Sequence, residues 1–343
     1  MQLTLHTTLP EDLAAEWNTL LKECVMDVPF MRYEYLQAWW ATRGGGEWPQ
    51  AEVALVTAHR DGKLAAAAPL FFTPDYEGRP TLLLLGSIEV SDYLDLLVRA
   101  TDLDEFLDAL LPFLKDNSEI PAWERLELYN LLDSSPTLPA LEAAAARHDL
   151  TYAIEKYKPS PYIELPGDWD AYLAGIDKKQ RHEIRRKIRR LEEKSGLPNR
   201  WYVADCSAPD VLAAESEDFL RLMAQEGDKA EFLTPEMRVH MKNIIRTAQE
   251  GGYLMLAFLE IDGKKAAAKL CFDYNNQLLG YNSGIERELM EFSPGWVILG
   301  YVLMWANQQG REIFDFMRGD EGYKYRFGAV DRFVMRATLS QRA

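Results

Sequence analysis

Residues 256–274 read LAFLEIDGKKAAAKLCFDY. An alternating apolar run reaches Asp262-Gly263, and an alanine-rich run leaves it. Asp-Gly between two such runs is a strong short-range hairpin signal. The pattern has a precedent at 55–72, LVTAHRDGKLAAAAPLFF, with strands Glu52 to Arg60 and Lys63 to Phe72 across Asp61-Gly62. The two turns lie 262 − 61 = 201 residues apart. Strand, Asp-Gly-Lys turn and alanine-rich strand, each preceded by helical segments, read as two copies of one α/β unit. Alanines along the return strand leave room for another element to pack close.

Around the first copy, Leu3 to Thr7 alternates as a strand, and helices are predicted over Glu11 to Lys22 and Tyr33 to Thr42. Strands Thr81 to Leu85 and Leu94 to Val98 follow, then helix 102–115, strand 124–129, helix 137–147 and strand 151–156. Lys158-Pro159-Ser160-Pro161 is the linker candidate. Around the second copy come a helix from Asp168 to Ala174 and the basic run DKKQRHEIRRKIRRLEEK at 177–194. A strand near Trp201 to Ala204, helices 209–225 and 235–250, and strands 253–261, 264–274 and 277–282 complete it. The expected domains are 1–160 and 161–343.

The stretch FSPGWVILGYVLMWANQQGREIFDFMRGDEGYKYRFG, 292–328, closes the second copy. Ser293 is a hydroxyl capper and Pro294 suits the first helical position, where its missing N–H costs nothing. The helix is apolar from Trp296 to Trp305, hence buried, and its free N-terminal amides make a seat for an anion. Gly310 ends it, Glu312 to Met317 alternates as a strand, and Arg318, Asp320, Glu321, Lys324 and Arg326 form a polar corner.

Composition excludes several classes. With 48% hydrophobic and 27% charged residues the chain is ordinary globular protein. No run reaches the roughly 18 apolar residues of a membrane span, and MQLTLHTTLPEDL lacks the basic and apolar regions of a signal peptide. Cys24, Cys206 and Cys271 are odd in number and far apart, which suits free thiols in a reducing cytoplasm. No Cys or His pair has metal-ligand spacing, so no metal is expected. The net charge of −16 is uneven. Residues 1–176 hold 12 Lys and Arg against 29 Asp and Glu, while 177–343 hold 26 against 25. An acidic first half argues against broad nucleic-acid binding. In the basic run, Ile184, Ile188 and Leu191 form a docking stripe that leaves Lys178, Arg181, Arg185 and Arg189 on a neighbouring face. That face either grips a phosphate or balances acidic neighbours such as the first unit; the second reading is preferred.

PFMRYEYLQAWW at 29–40, SDYLD at 91–95, PYIELP at 161–166, EGDKAEFLT at 226–234, YNSG at 281–284, SPG at 293–295 and FDFMRGDEGYKYRFG at 314–328 stand in an informative order. Together they resemble the GNAT acetyltransferase superfamily in its tandem form, as in CelD-like acetyltransferases related to FemABX peptidyltransferases. The resemblance covers nearly the whole chain. It implies an α/β (α+β) protein of two tandem GNAT-like units, each a mixed, mostly antiparallel sheet flanked by helices. It also implies that the last strand, about 332–340, returns to the first unit's sheet. Single-domain GNAT enzymes wrap the coenzyme A pyrophosphate with a Gln/Arg-x-x-Gly-x-Gly/Ala loop; here only Ser293-Pro294-Gly295 stands at that helix start. FemABX relatives take aminoacyl-tRNA instead.

On this basis the chain is expected to be a cytoplasmic acyltransferase. It would move an acyl group, acetyl first among them, from acyl-CoA to an amine or hydroxyl of a small acceptor, a sugar derivative among the candidates, held between the units. The alternatives are an aminoacyl-tRNA-dependent peptidyltransferase and an inactive GNAT-like binding protein. Lys324 matches the FemABX Phe-Lys pair, here Tyr323-Lys324, and would stabilise an oxyanion or a donor phosphate from an exposed position. Asp320 and Glu321 are candidate bases for the acceptor amine; Asp315 is a second ion-pair candidate. Ser293, Gly295 and Trp296, with Arg318 and Arg326, would contact the donor. Asp92, Tyr93 and Asp95 follow a Gly-Ser turn where loop residues often face a cleft. They, Lys229 at a helix end, and Tyr281, Asn282 and Ser283 would contact the acceptor.

Overall fold

The computed structural model describes residues 1–194, 196 and 198–341; residues 195, 197, 342 and 343, inside the expected 161–343 unit, lie outside it. The chain forms two units, residues 1–159 with 332–343, and residues 160–331.

In the first unit the strands are β1 (Gln2–His6), β2 (Glu52–Val53), β3 (Leu55–Arg60), β4 (Lys63–Ala68), β5 (Leu70–Tyr76), β6 (Arg79–Leu84), β7 (Leu97–Val98), β8 (Arg125–Leu132) and β9 (Leu150–Pro159). Its helices are α1 (Ala14–Leu21), α2 (Tyr33–Ala41), the short α3 (Arg43–Gly46), α4 (Leu103–Asp116) and α5 (Thr137–Arg147). One sheet runs β1-β3-β4-β7; a second runs β2-β5-β6-β8-β16-β9, where β16 is the chain's last strand, Phe333–Gln341. The expected strand Lys63 to Phe72 is therefore two strands in two sheets. Pro69 breaks it, because a proline has no N–H for the ladder; its carbonyl takes Leu85 N at 2.7 Å instead. The strand expected over Leu94 to Val98 shrinks to two residues. Lys158 and Pro159, expected in a linker, instead pair with Val334 and Phe333 on the edge strand β9, where a proline is tolerated.

The second unit has β10 (Tyr162–Glu164), β11 (Asn199–Val203), β12 (Leu254–Ile261), β13 (Lys264–Tyr274), β14 (Gln277–Ile285) and β15 (Ile313–Asp315). They make one mixed sheet, β10-β15-β14-β13-β12-β11, in which only β14 and β15 are parallel. Helices α6 (Trp169–Gly175), α7 (Lys178–Arg189) and α11 (Pro294–Gln308) cover one face. On that side Met255, Ala257, Leu259 and Cys271 meet Val297, Ile298 and Val302 of α11 and Ile184 and Ile188 of α7. The other face carries α8 (Pro209–Met223), the single turn α9 (Lys229–Phe232) and α10 (Pro235–Glu250). Gly284 is required there, since a Cβ would stand 2.3 Å from the Met223 amide. The strand expected to reach Met317 stops at Asp315, since Met317 takes a left-handed φ of 59°, and the polar corner contains one more helix, α12 (Gly322–Arg326).

The two hairpins share one register. Val56–Ala68, Thr57–Ala67, Ala58–Ala66, His59–Leu64 and Arg60–Lys63 pair in the first. Adding 201 to each gives Ala257–Lys269, Phe258–Ala268, Leu259–Ala267, Glu260–Lys265 and Ile261–Lys264, the pairs of the second. Even the bulge falls at the same step. Asp61 and Asp262 both take positive φ, 53° and 51°, ahead of their glycines, as a tight two-residue hairpin turn needs.

Candidate active site

Strands β14 and β15 pair only over Gln277–Leu279 and Ile313–Asp315. Beyond Leu279, β14 continues against β13 after an irregularity in register, whereas the chain after Asp315 turns away. Ligands in α/β sheets gather where such neighbours part. Here the gap holds a cavity of about 170 Å³ lined by Lys269, Ser283, Glu226, Gly295, Trp296 and Tyr323, with apolar neighbours.

Helix α11 crosses over from β14 to β15 and places its first residues, Gly295 and Trp296, on that wall. Its capping differs from expectation. Ser293 takes a left-handed conformation, φ 54°, and its side chain caps nothing; its carbonyl accepts the Trp296 and Val297 amides at 3.0 and 3.2 Å. No acidic residue stands in the first turn. Trp296 packs 4.9 Å from the Phe327 ring, and the Lys187 ammonium of α7 sits 3.9 Å over its indole. Burial lowers the Lys187 pKa, against the pull of Glu183.

Lys324 is not an exposed cation. It is 2% exposed, and its ammonium donates to the carbonyls of Met317, Arg318 and Gly319 at 3.1, 2.9 and 3.0 Å and pairs with Glu321 at 2.9 Å. With three donors so committed, Lys324 staples the 317–319 turn rather than presenting charge to the cavity. Asp315 supports the same turn from its other side, accepting the Met317 amide at 2.8 Å, and Met317 itself has φ 59°. Glu321 is exposed; burial pushes its carboxyl up, and the Lys324 ammonium overrides this to leave it below its ordinary range. Asp320 and Arg326 are exposed, and neither they nor Arg318 line the cavity.

The lining includes two groups that sequence reasoning missed. Lys269 is 5% exposed on β13, and among the described residues it makes no hydrogen bond or ion pair. Burial lowers its pKa; Lys229 and Lys324 push the same way, while Cys271 and Glu226 oppose. Its signal was present: one lysine inside the apolar run AAAKLCF of a central strand. Glu226 follows α8; its Oε2 accepts Lys229 at 2.8 Å, and its Oε1 is buried without a partner. Lys229 opens the turn α9, not a helix end, and also donates to the Ser283 carbonyl at 2.8 Å. Of the three expected β14 contacts only Ser283 reaches the cavity. Asn282 Oδ1 accepts the Ser283 amide at 2.8 Å, and Tyr281 packs 5.0 Å from Phe272.

Asp92, Tyr93 and Asp95 belong to the first unit and are buried there. Asp95 accepts Ser135 Oγ, Thr137 Oγ1 and the Leu96 amide at 2.5, 2.6 and 2.8 Å, and burial pushes its pKa up to about 6 against those bonds. The Tyr93 hydroxyl accepts Arg332 at 3.0 Å. The segment thus braces the unit's interior rather than facing a cleft. In α7 the basic run finds its acids locally: Arg185 pairs with Asp170 at 2.9 Å, Arg186 with Glu183 at 2.7 Å, and Arg189 with Glu193 at 3.9 Å. Those partners belong to the second unit and not, as expected, to the acidic first. No group of three His, Cys, Asp or Glu among the described residues gathers as a metal site, and no helix among them is long and apolar enough to cross a membrane.

Residues 178–325 match the family model described as an acetyltransferase (GNAT) domain. The second unit is a GNAT domain. The fold recurs over most of the chain in solved structures. FemX superposes with a TM-score of 0.65 at 12% identity, covering 97% of each chain. A tandem GNAT protein from the clavulanic acid biosynthesis pathway gives 0.52 at 14%, covering 100% of this chain and 99% of its own. L-PGS from Bacillus licheniformis gives 0.53 at 12%, covering 88% and 90%. At such identities the likeness is one of fold. No curated protein sequence matches the chain.

Proposed function

We propose that the second unit transfers an acyl group, acetyl first among the candidates, from acyl-CoA to an amine. The observation that carries this is the cavity where β14 and β15 part: it adjoins the acid-free start of α11 and is lined by polar groups without partners. Donor phosphates would lie at the α11 amides near Lys187, and the thioester would enter beside Gly295 and Trp296. The acceptor must lose a proton to attack, and Glu226 Oε1 is the lining carboxylate oxygen left open to take it. Glu226 therefore replaces Asp320 and Glu321 in the role of base. The three cysteines are free, which fits a reducing cytoplasm.

The aminoacyl-tRNA alternative draws on one feature, the exposed Lys178 and Lys179 of α7, which make no ion pair among the described residues. Thermal shifts with acetyl-CoA, longer acyl-CoAs and deacylated tRNA separate the readings. A donor at a hundredfold excess over its dissociation constant stabilises by about 2.7 kcal/mol. Stabilisation by an acyl-CoA, lost in Gly295→Trp, is the expected result. A shift with tRNA alone would transfer the reading to the peptidyltransferase; no shift with either would leave a binding protein. With a turnover assay in hand, Glu226→Gln lowers kcat by roughly two to three orders of magnitude.

A further inference from the structure

Lys269 stands on the cavity wall with two lysines in electrostatic reach, Lys229 and Lys324, and both of those have counter-charges. Lys229 is matched by Glu226, and Lys324 by Glu321 and three carbonyls. Lys269 is left over, more than nine-tenths buried, on the cavity wall and with no partner among the described residues. The fold makes room for its stem. A Cβ on Gly280 would stand 3.3 Å from Lys269 Cε and 3.0 Å from the Phe314 ring, so a glycine lets the lysine stem pack close. A buried ammonium with no counter-ion is costly, and a core built to keep one points to a charge supplied from outside.

Building on the acyl-transfer reading above, we propose that Lys269 is the receptor for a carboxylate carried by one of the substrates. The charge count selects a monoanion. The cluster of Lys229, Lys269, Lys324, Glu226 and Glu321 is short by one negative charge, and a phosphate dianion would overshoot it. Space and polarity agree: about 170 Å³ walled by Ala268, Ile285, Ile298, Leu299 and Phe327 suits a short apolar chain ending in a carboxylate. That carboxylate comes either from the far end of a dicarboxylic acyl group or from an amino-acid acceptor. Around Lys269 the other titratable groups are Cys271, Lys229, Lys324, Glu226, Glu321 and the Tyr323 phenol, which burial pushes up.

Two kinetic arms separate the sources. With glycinamide as acceptor, kcat/KM for succinyl-CoA is compared with that for butyryl-CoA. With acetyl-CoA as donor, alanine is compared with alaninamide. The expected result is a preference for the carboxylate in one arm of roughly ten- to a hundredfold, the range of a charge-assisted bond. In Lys269→Met that ratio falls toward one. A third measurement needs no turnover: butanoate and butanamide are titrated into the protein and followed by NMR of the lysine ε-methylene signals, that of Lys269 assigned by its absence in the variant. Butanoate should bind at least tenfold tighter, and the difference should vanish in Lys269→Met. If no thioester is turned over, the acyl-transfer reading falls and the binding ratio alone judges Lys269. Equal binding of the two probes, or a preference that survives the variant, overturns the proposal. So does a variant that loses turnover of both members of a pair alike while the binding ratio persists, which would make Lys269 a proton-transfer group. Should Lys269→Met fail to fold by circular dichroism, Lys269→Gln carries the same comparisons.

Discussion

The hairpins β3–β4 and β12–β13 are the same object in two states of use. Ladder, turn and bulge coincide at an offset of 201, and 269 − 201 = 68 sets Lys269 against Ala68. Where the second unit keeps a lysine beside a cavity, the first keeps a fully buried alanine. The strands beyond diverge in parallel fashion. In the second unit β14 runs on past its irregular register to Ile285; in the first its counterpart is cut into β6 and β7, with residues 85–96 inserted between them. That insertion contains Asp92, Tyr93 and Asp95, all buried in the first unit. The crossover helices differ likewise. Helix α4 starts among Asp102, Asp104 and Glu105, which neutralise its dipole, whereas the first turn of α11 holds no acid. At the position of Lys269 one copy of the duplicated unit holds a buried alanine and the other a lysine on a cavity wall.

The harshest way to break this comparison is to put the lysine into the first copy. Ala68→Lys buries an ammonium with neither cavity nor partner, and should cost about 4 kcal/mol or more by urea unfolding. A small loss would mean that the first unit hides an unrecognised space. Next comes the staple of the second copy. Lys324→Ala leaves three carbonyls of the 317–319 turn without a donor and should destabilise the second unit by about 3 kcal/mol. A near-neutral result would restore Lys324 as a free, functional cation.

The two units should also respond to pH with opposite sign. Asp95 has a raised folded pKa, so its contribution is present below the unfolded value of 3.8 and fades as pH climbs through about 6. Relative to Asp95→Asn, the native protein should lose up to roughly 3 kcal/mol across that window. Lys269 has a lowered folded pKa, so the native protein should gain stability on Lys269→Met as pH rises toward 10.5. Matching slopes in both windows would contradict the assigned burial. Smallest is the helix start: Asp104→Asn should cost about 0.3 to 1 kcal/mol at low salt and less at high salt.

Local patterns carried the duplication. Asp-Gly between alternating runs fixes a tight hairpin because few residues tolerate its positive φ, and the stripe Ile184, Ile188 and Leu191 marks a helix face because its period is helical. Those signals lie within a few residues of each other, so LAFLEIDGKKAAAKLCFDY and LVTAHRDGKLAAAAPLFF determined the hairpins and the repeat by themselves. The tertiary structure decided which polar residues stand inside. SDYLD and YKYRFG look like exposed, reactive corners in one dimension, yet Asp95 meets Ser135 and Thr137, and Lys324 meets the carbonyls of its own turn, through contacts no local pattern encodes. Lys269 looked like one more strand residue. Only packing α11 across β13 beside the parting of β14 and β15 leaves its ammonium buried, unmatched and facing a space, because charge compensation depends on distance through the fold and not on separation along the chain.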